Sequence, residues 1–83
     1  MSFLTLSQGG GIKLWQYKQD TPASTWSIYH AFGKKPLIDI FVHDNGILTK
    51  AFPLSVIHID DNNVEINWTS PRAGLVSFAT SML

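Results

Sequence analysis

Three histidines, His30, His43 and His58, are the residues of this 83-residue chain best able to hold a metal or move a proton. Three imidazoles can bind zinc and leave a fourth position open. Here no pair has a short ligand spacing, and His30 alternates with Trp26 and Ile28, which predicts a hydrogen-bonded histidine on an apolar strand face. His58 lies between Ile57 and Ile59 and is expected to point away from the core face those two form. His43 adjoins Asp44 in the manner of an orienting pair, but it borders a turn and has no nucleophile at a recognisable elbow.

Oxygen ligands cluster at Asp60-Asp61-Asn62-Asn63. An EF-hand needs a central glycine and a distant glutamate, both missing, whereas Asx residues are what a turn demands. Gly9-Gly10-Gly11 is followed by no helix pattern and makes no phosphate loop. Asn67-Trp68-Thr69 has the form of a glycosylation acceptor within an alternating strand. The chain has no cysteine, so disulfides and thiolate chemistry are excluded. With no paired carboxylates, nucleophile or metal constellation, the expectation is a non-enzymatic protein without cofactor.

Charge narrows the partners. Lys+Arg and Asp+Glu both number 6, the formal net charge is zero, and charged residues are only 14% of the chain, against about 25% in ordinary soluble domains. Nucleic-acid binding requires concentrated basic residues, and the adjacent pair Lys34-Lys35 is only a dipeptide that reads as a solvated turn. A neutral surface instead promotes association. No apolar stretch is long enough to span a bilayer, and the N-terminus lacks a basic segment followed by an apolar one, so a soluble chain without membrane partner or secretion signal is expected.

The elements that must position these residues are strands. Thr25 to Pro36 alternates Trp26, Ile28 and His30 against Thr25, Ser27 and Tyr29, then turns at Gly33, while Pro36 biases Lys35 towards extension. Leu37 to Val42 is a second β-rich run, and Asp44-Asn45-Gly46 predicts a hairpin returning through Ile47 to Lys50. Before these, Ile12 to Lys18 is a strand ended by a polar turn at residues 19–23. After them come Pro53, a strand from Ser55 to Ile59, the Asx turn, the strand from Val64 to Thr69, a turn at residues 70–74, and a last strand from Leu75 to Thr80.

The expected fold is all-β: a small antiparallel β-sandwich, Ig-like or barrel-like, of six to seven short strands in one domain over residues 12–83. Its core is predicted from alternation as Trp26, Ile28, Ile38, Ile40, Val64, Ile66, Trp68, Val76 and Phe78. Residues 1–11 form an N-terminal arm, in which the glycines separate the apolar Phe3, Leu4 and Leu6 from the domain. The arm is expected to reach another subunit. Trp15, Tyr29 and Phe41 are expected off the main core, where they could contact a subunit or stack on glycan.

The series Thr25-Trp26-Ser27-Ile28, His30, Phe32-Gly33, Pro36, Ile38, Ile40, Asp44, Gly46, Asp60, Asn63-Val64, Ile66, Trp68, Pro71, Gly74 resembles a small β module of bacteriophage virion structural proteins. That module recurs in tail fibres, necks and other appendages with a pattern like W-x-[IV]-x-H-x-[LF]-G-x-x-P. The likeness spans about residues 25–80. Ala31 stands where the family often has asparagine, and Trp68 where phenylalanine is commoner. The resemblance implies a non-enzymatic part of a phage particle, assembled in the host cytoplasm, a homo-oligomer that contacts other virion proteins and, in a fibre, host-surface glycan.

Overall fold

The computed structural model describes residues 12–81; Phe3, Leu4, Leu6 and the rest of the expected arm lie outside the described residues. The protein is all-β. Its strands are β1 (Ile12–Tyr29), β2 (Leu37–Asp44), β3 (Ile47–Lys50), β4 (Ser55–His58) and β5 (Asn63–Ser81), joined in one antiparallel sheet. β5 is the spine. Its first half pairs with β1 on one side and β4 on the other; its second half pairs with β1 and β2, and β3 extends the sheet beyond β2.

The described residues thus contain five strands, not the expected six or seven, and β1 and β5 are 18 and 19 residues long. The expected turns at residues 19–23 and 70–74 are irregular stretches inside these two strands. Between Gln19↔Gly74 and Ala23↔Arg72, β1 advances further than β5; between Ala23↔Arg72 and Thr25↔Asn67, β5 advances further than β1. Each strand therefore bulges against the other, which bends the ribbon. Pro71 falls in the bulged stretch of β5, where its missing N–H removes no ladder bond. The Trp26 indole N–H donates to the carbonyls of both Ala23 and Arg72, each at 3.0 Å, and fastens the two bulges together.

The bend folds the sheet onto itself. His30 donates its backbone N–H to Asn62 O, at the start of β5, yet its ring lies 5.5 Å from that of Phe78, near the end. A straight strand from Asn62 to Phe78 would separate them by roughly 50 Å. The sheet must therefore curl around its apolar core, which brings the turn after β1 against the end of β5. That core is Trp26, Ile28, Ile40, Val42, Val64, Ile66, Trp68, Val76 and Phe78. Ile38 is only half-buried, and Val42, absent from the expected set, takes its place because Val42↔Gly74 continues the Ile40↔Val76 face towards the bend. At Gly74 the strands approach so closely that a Cβ would overlap the Phe41 carbonyl oxygen and come within 2.9 Å of the Val42 Cα.

Two turns hold the ends. Asn45 and Gly46 have φ of 52° and 81°, the paired positive values of a two-residue hairpin loop, and β2 pairs with β3 as the sequence predicts. At the other end, Asp60 accepts the N–H groups of Asn62 (2.8 Å) and Asn63 (2.9 Å). These bonds to its charged form hold the Asp60 carboxyl below its usual range. Asn62 in turn accepts from the backbone of His30 and Ala31 through its carbonyl and from Gly33 N–H through Oδ1.

Candidate functional site

The folded sheet is open along one side. β2 has β5 on one edge, but β3 covers its other edge only from Phe41 onward. Among the described residues, the backbone of that edge over Leu37 to Ile40 carries one loop bond, Ala51 N–H to Ile40 O at 3.0 Å, and the Lys50 side chain pairs with Asp39 at 3.2 Å. β4 pairs with β5 alone among the described strands. Between these two edges runs a groove of about 410 Å³, floored by Ile38, Ile40, Val56 and His58 and rimmed by Ala51, Phe52 and Pro53. Sequence reading missed this site. Its only signal was Pro53, which ends strand pairing and leaves both neighbouring edges bare.

His58 is oriented opposite to expectation. The register Ile28↔Val64↔His58 and Trp26↔Ile66↔Val56 puts His58 and Val56 on the core-face side, His58 half-buried and Val56 39% exposed in the groove, while Ile57 takes the outer face and Ile59, beyond the strand, is exposed. Pairing with β5 decides which face of a four-residue strand turns inward, and local hydropathy is too short a signal to do so. His30 is buried, as predicted, and its Nδ1 accepts the Phe32 N–H at 3.1 Å, so its neutral form carries the proton on Nε2. That Nε2 and His58 Nδ1 are both enclosed without a hydrogen-bond partner among the described residues. Burial lowers the His30 pKa, the nearby His58 lowers it further, and Asp60 partly opposes them. His43 lies apart, exposed beside the β2–β3 hairpin and paired with Leu48. The described residues contain no cluster of three or more metal-ligating side chains.

The three aromatic candidates do not converge. Trp15 is 39% exposed and outside the buried core, as expected, although it sits opposite Phe78 with ring centroids 5.6 Å apart. Tyr29 is exposed on the outer face of the first half of the sheet, while Phe41, half-buried, is on the outer face of the second half. A continuous apolar row does form on that second outer face: Leu14, Ala79 and Leu37 are aligned across β1, β5 and β2. Leu14 is 72% and Leu37 78% exposed. A hollow lined by Ile12, Leu37 and Ala79 lies along this row, and Leu37 also borders the groove.

A second depression, at the bend, is lined by Lys50, Trp68, Thr69, Ser70 and Arg72. The Arg72 guanidinium lies 5.9 Å from the Trp68 ring centroid. Cations beside an aromatic face and hydroxyls can receive a polar, negatively charged ligand.

No family model, curated protein or solved structure matches this chain.

Proposed function

We propose that this chain is a non-enzymatic structural module of a bacteriophage particle, one that self-associates and contacts neighbouring virion proteins. The order of landmarks from Trp26 to Gly74 supports the phage assignment. The observation that carries the assembly role is the union of an open strand edge at Leu37 to Asp39 with the Leu14–Ala79–Leu37 row, whose two leucines are exposed. Unpaired edges template strand addition, and apolar rows on a neutral surface favour association. A small domain gains stability when a copy of itself covers such a surface. Light scattering on the full chain tests the reading: an oligomer is expected, and Leu14→Lys with Leu37→Lys should shift it towards monomer. A monomer at every concentration would reject self-assembly.

Recognition of host-surface glycan is the second reading. The scatter of Trp15, Tyr29 and Phe41 weakens it in its first form, but the depression at Trp68, Lys50 and Arg72 suits a carboxylate-bearing sugar. Calorimetric titration with host polysaccharide should show saturable binding that Arg72→Ala abolishes if this reading holds.

A further inference from the structure

The groove between β2 and β4 has the shape and chemistry of an acceptor for an extended apolar segment, and the chain itself contains one. We propose that residues 1–11 of a second copy bind in this groove as an added strand on β2, with Leu4 and Leu6 as its anchors. The inference rests on the assembly reading above and names its contact.

Four observations support it. Ile40 directs its carbonyl outward to Ala51, so by the two-residue repeat of a strand Ile38 presents its N–H and C=O to the same open side. An incoming backbone can bond to both. Ile38, Ile40 and Val56 make an apolar stretch of the groove floor beside His58, with the Lys50–Asp39 ion pair at its margin, and about 410 Å³ accommodates one or two large aliphatic side chains. In an extended arm Leu4 and Leu6 share one face and Phe3 takes the other. The leucines would then enter the groove while Phe3 meets the exposed Leu37 side. Finally, eleven residues precede Ile12, with a maximum reach of about 36–40 Å, comparable to the 42 Å long axis of the described body. The arm can therefore cross from one molecule to the next.

The outer row decides between a neighbour and the same chain. An arm folded back on its own β2 would fill the groove but leave Leu14, Ala79 and the outer side of Leu37 bare. Leu37 borders both the groove and the hollow beside the row. A second copy anchored by its arm at the groove brings its body against the row, so one association covers both.

Cysteine pairing tests this directly, because the native chain has no thiol. In the full-length Phe3→Cys/Leu37→Cys variant, whose two thiols the docked arm brings to the same outer face, mild oxidation should yield covalently linked dimers and higher multiples. An internal disulfide in a monomer would overturn the proposal in favour of the same-chain arm; no disulfide would overturn docking at β2 altogether. Light scattering on full-length Leu4→Asp/Leu6→Asp separates this proposal from the assembly reading. Loss of the oligomer with an unchanged circular-dichroism spectrum is expected. An oligomer that persists in this variant would leave the assembly reading standing and reject the arm as its fastener. Phe52→Asp, at an 87% exposed rim position, should weaken association without unfolding the domain.

Discussion

The His30 imidazole lies 5.5 Å from the Phe78 ring, and this contact joins residues at opposite ends of the β5 ladder. Phe32 completes the group, 5.1 Å from His30 and 6.2 Å from Phe78. The turn after β1 thus packs onto the far half of the sheet and keeps it folded over. His30 is the one buried polar or charged residue among those described, so its protonation bears on the closure itself.

A pH dependence follows. Burial, together with His58, holds the folded-state His30 pKa below its ordinary 6.5, with Asp60 opposing. The unfolded chain therefore binds the proton more readily. Stability from keeping His30 neutral is fully present above 6.5 and is lost as pH falls from 6.5 through the folded value. The urea midpoint should fall between about pH 7.5 and about pH 5. His58→Gln, which removes the repelling imidazole, should make that fall smaller. An equal fall in the variant would show that His58 does not act on His30.

The two core tryptophans should respond unequally to replacement by phenylalanine. Trp26 donates two 3.0 Å bonds that fasten the bulges, whereas the buried Trp68 Nε1 has no hydrogen-bond partner among the described residues. Both substitutions lose volume, but Trp26→Phe also strands two carbonyls at the bend. It should cost about 1–3 kcal/mol more than Trp68→Phe. Trp68→Ala, by contrast, should cost about 3–5 kcal/mol and leave little cooperative unfolding. Denaturant titrations of the three variants check both the order and the size.

Ala31 has φ of 59°, a left-handed conformation that a Cβ makes costly. Asn62 imposes it by accepting from His30, Ala31 and Gly33 in succession. Asparagine and glycine tolerate this region, so Ala31→Asn or Ala31→Gly should raise stability by up to about 1 kcal/mol. A higher melting temperature for both, without a change in oligomeric mass, is the expected result.

Alternation along the sequence was sufficient to identify most of the core. Trp26, Ile28, Ile40, Val64, Ile66, Trp68, Val76 and Phe78 all lie inside, because a period of two puts one set of side chains on one face wherever a strand is long enough to show it. Asn45-Gly46 was equally legible, since few residues accept two consecutive positive φ angles. The all-β class follows from the same signals.

Three features were decided only by long-range pairing. Residues 19–23 and 70–74 have turn composition, but bulges use the same residues, and only the β1–β5 register carries the strands through them. Ile57 and Ile59 alternate as the more apolar pair in the sequence, yet β4 ends at His58, and its pairing with Val64 and Ile66 puts His58 and Val56 on the core-face side. The groove exists because β3 stops short of Ile40 while β4 joins the opposite half of the folded sheet. Local sequence specifies which side of a strand is apolar. Which strand lies beside it, and which edge stays open, depends on contacts between residues far apart in the chain.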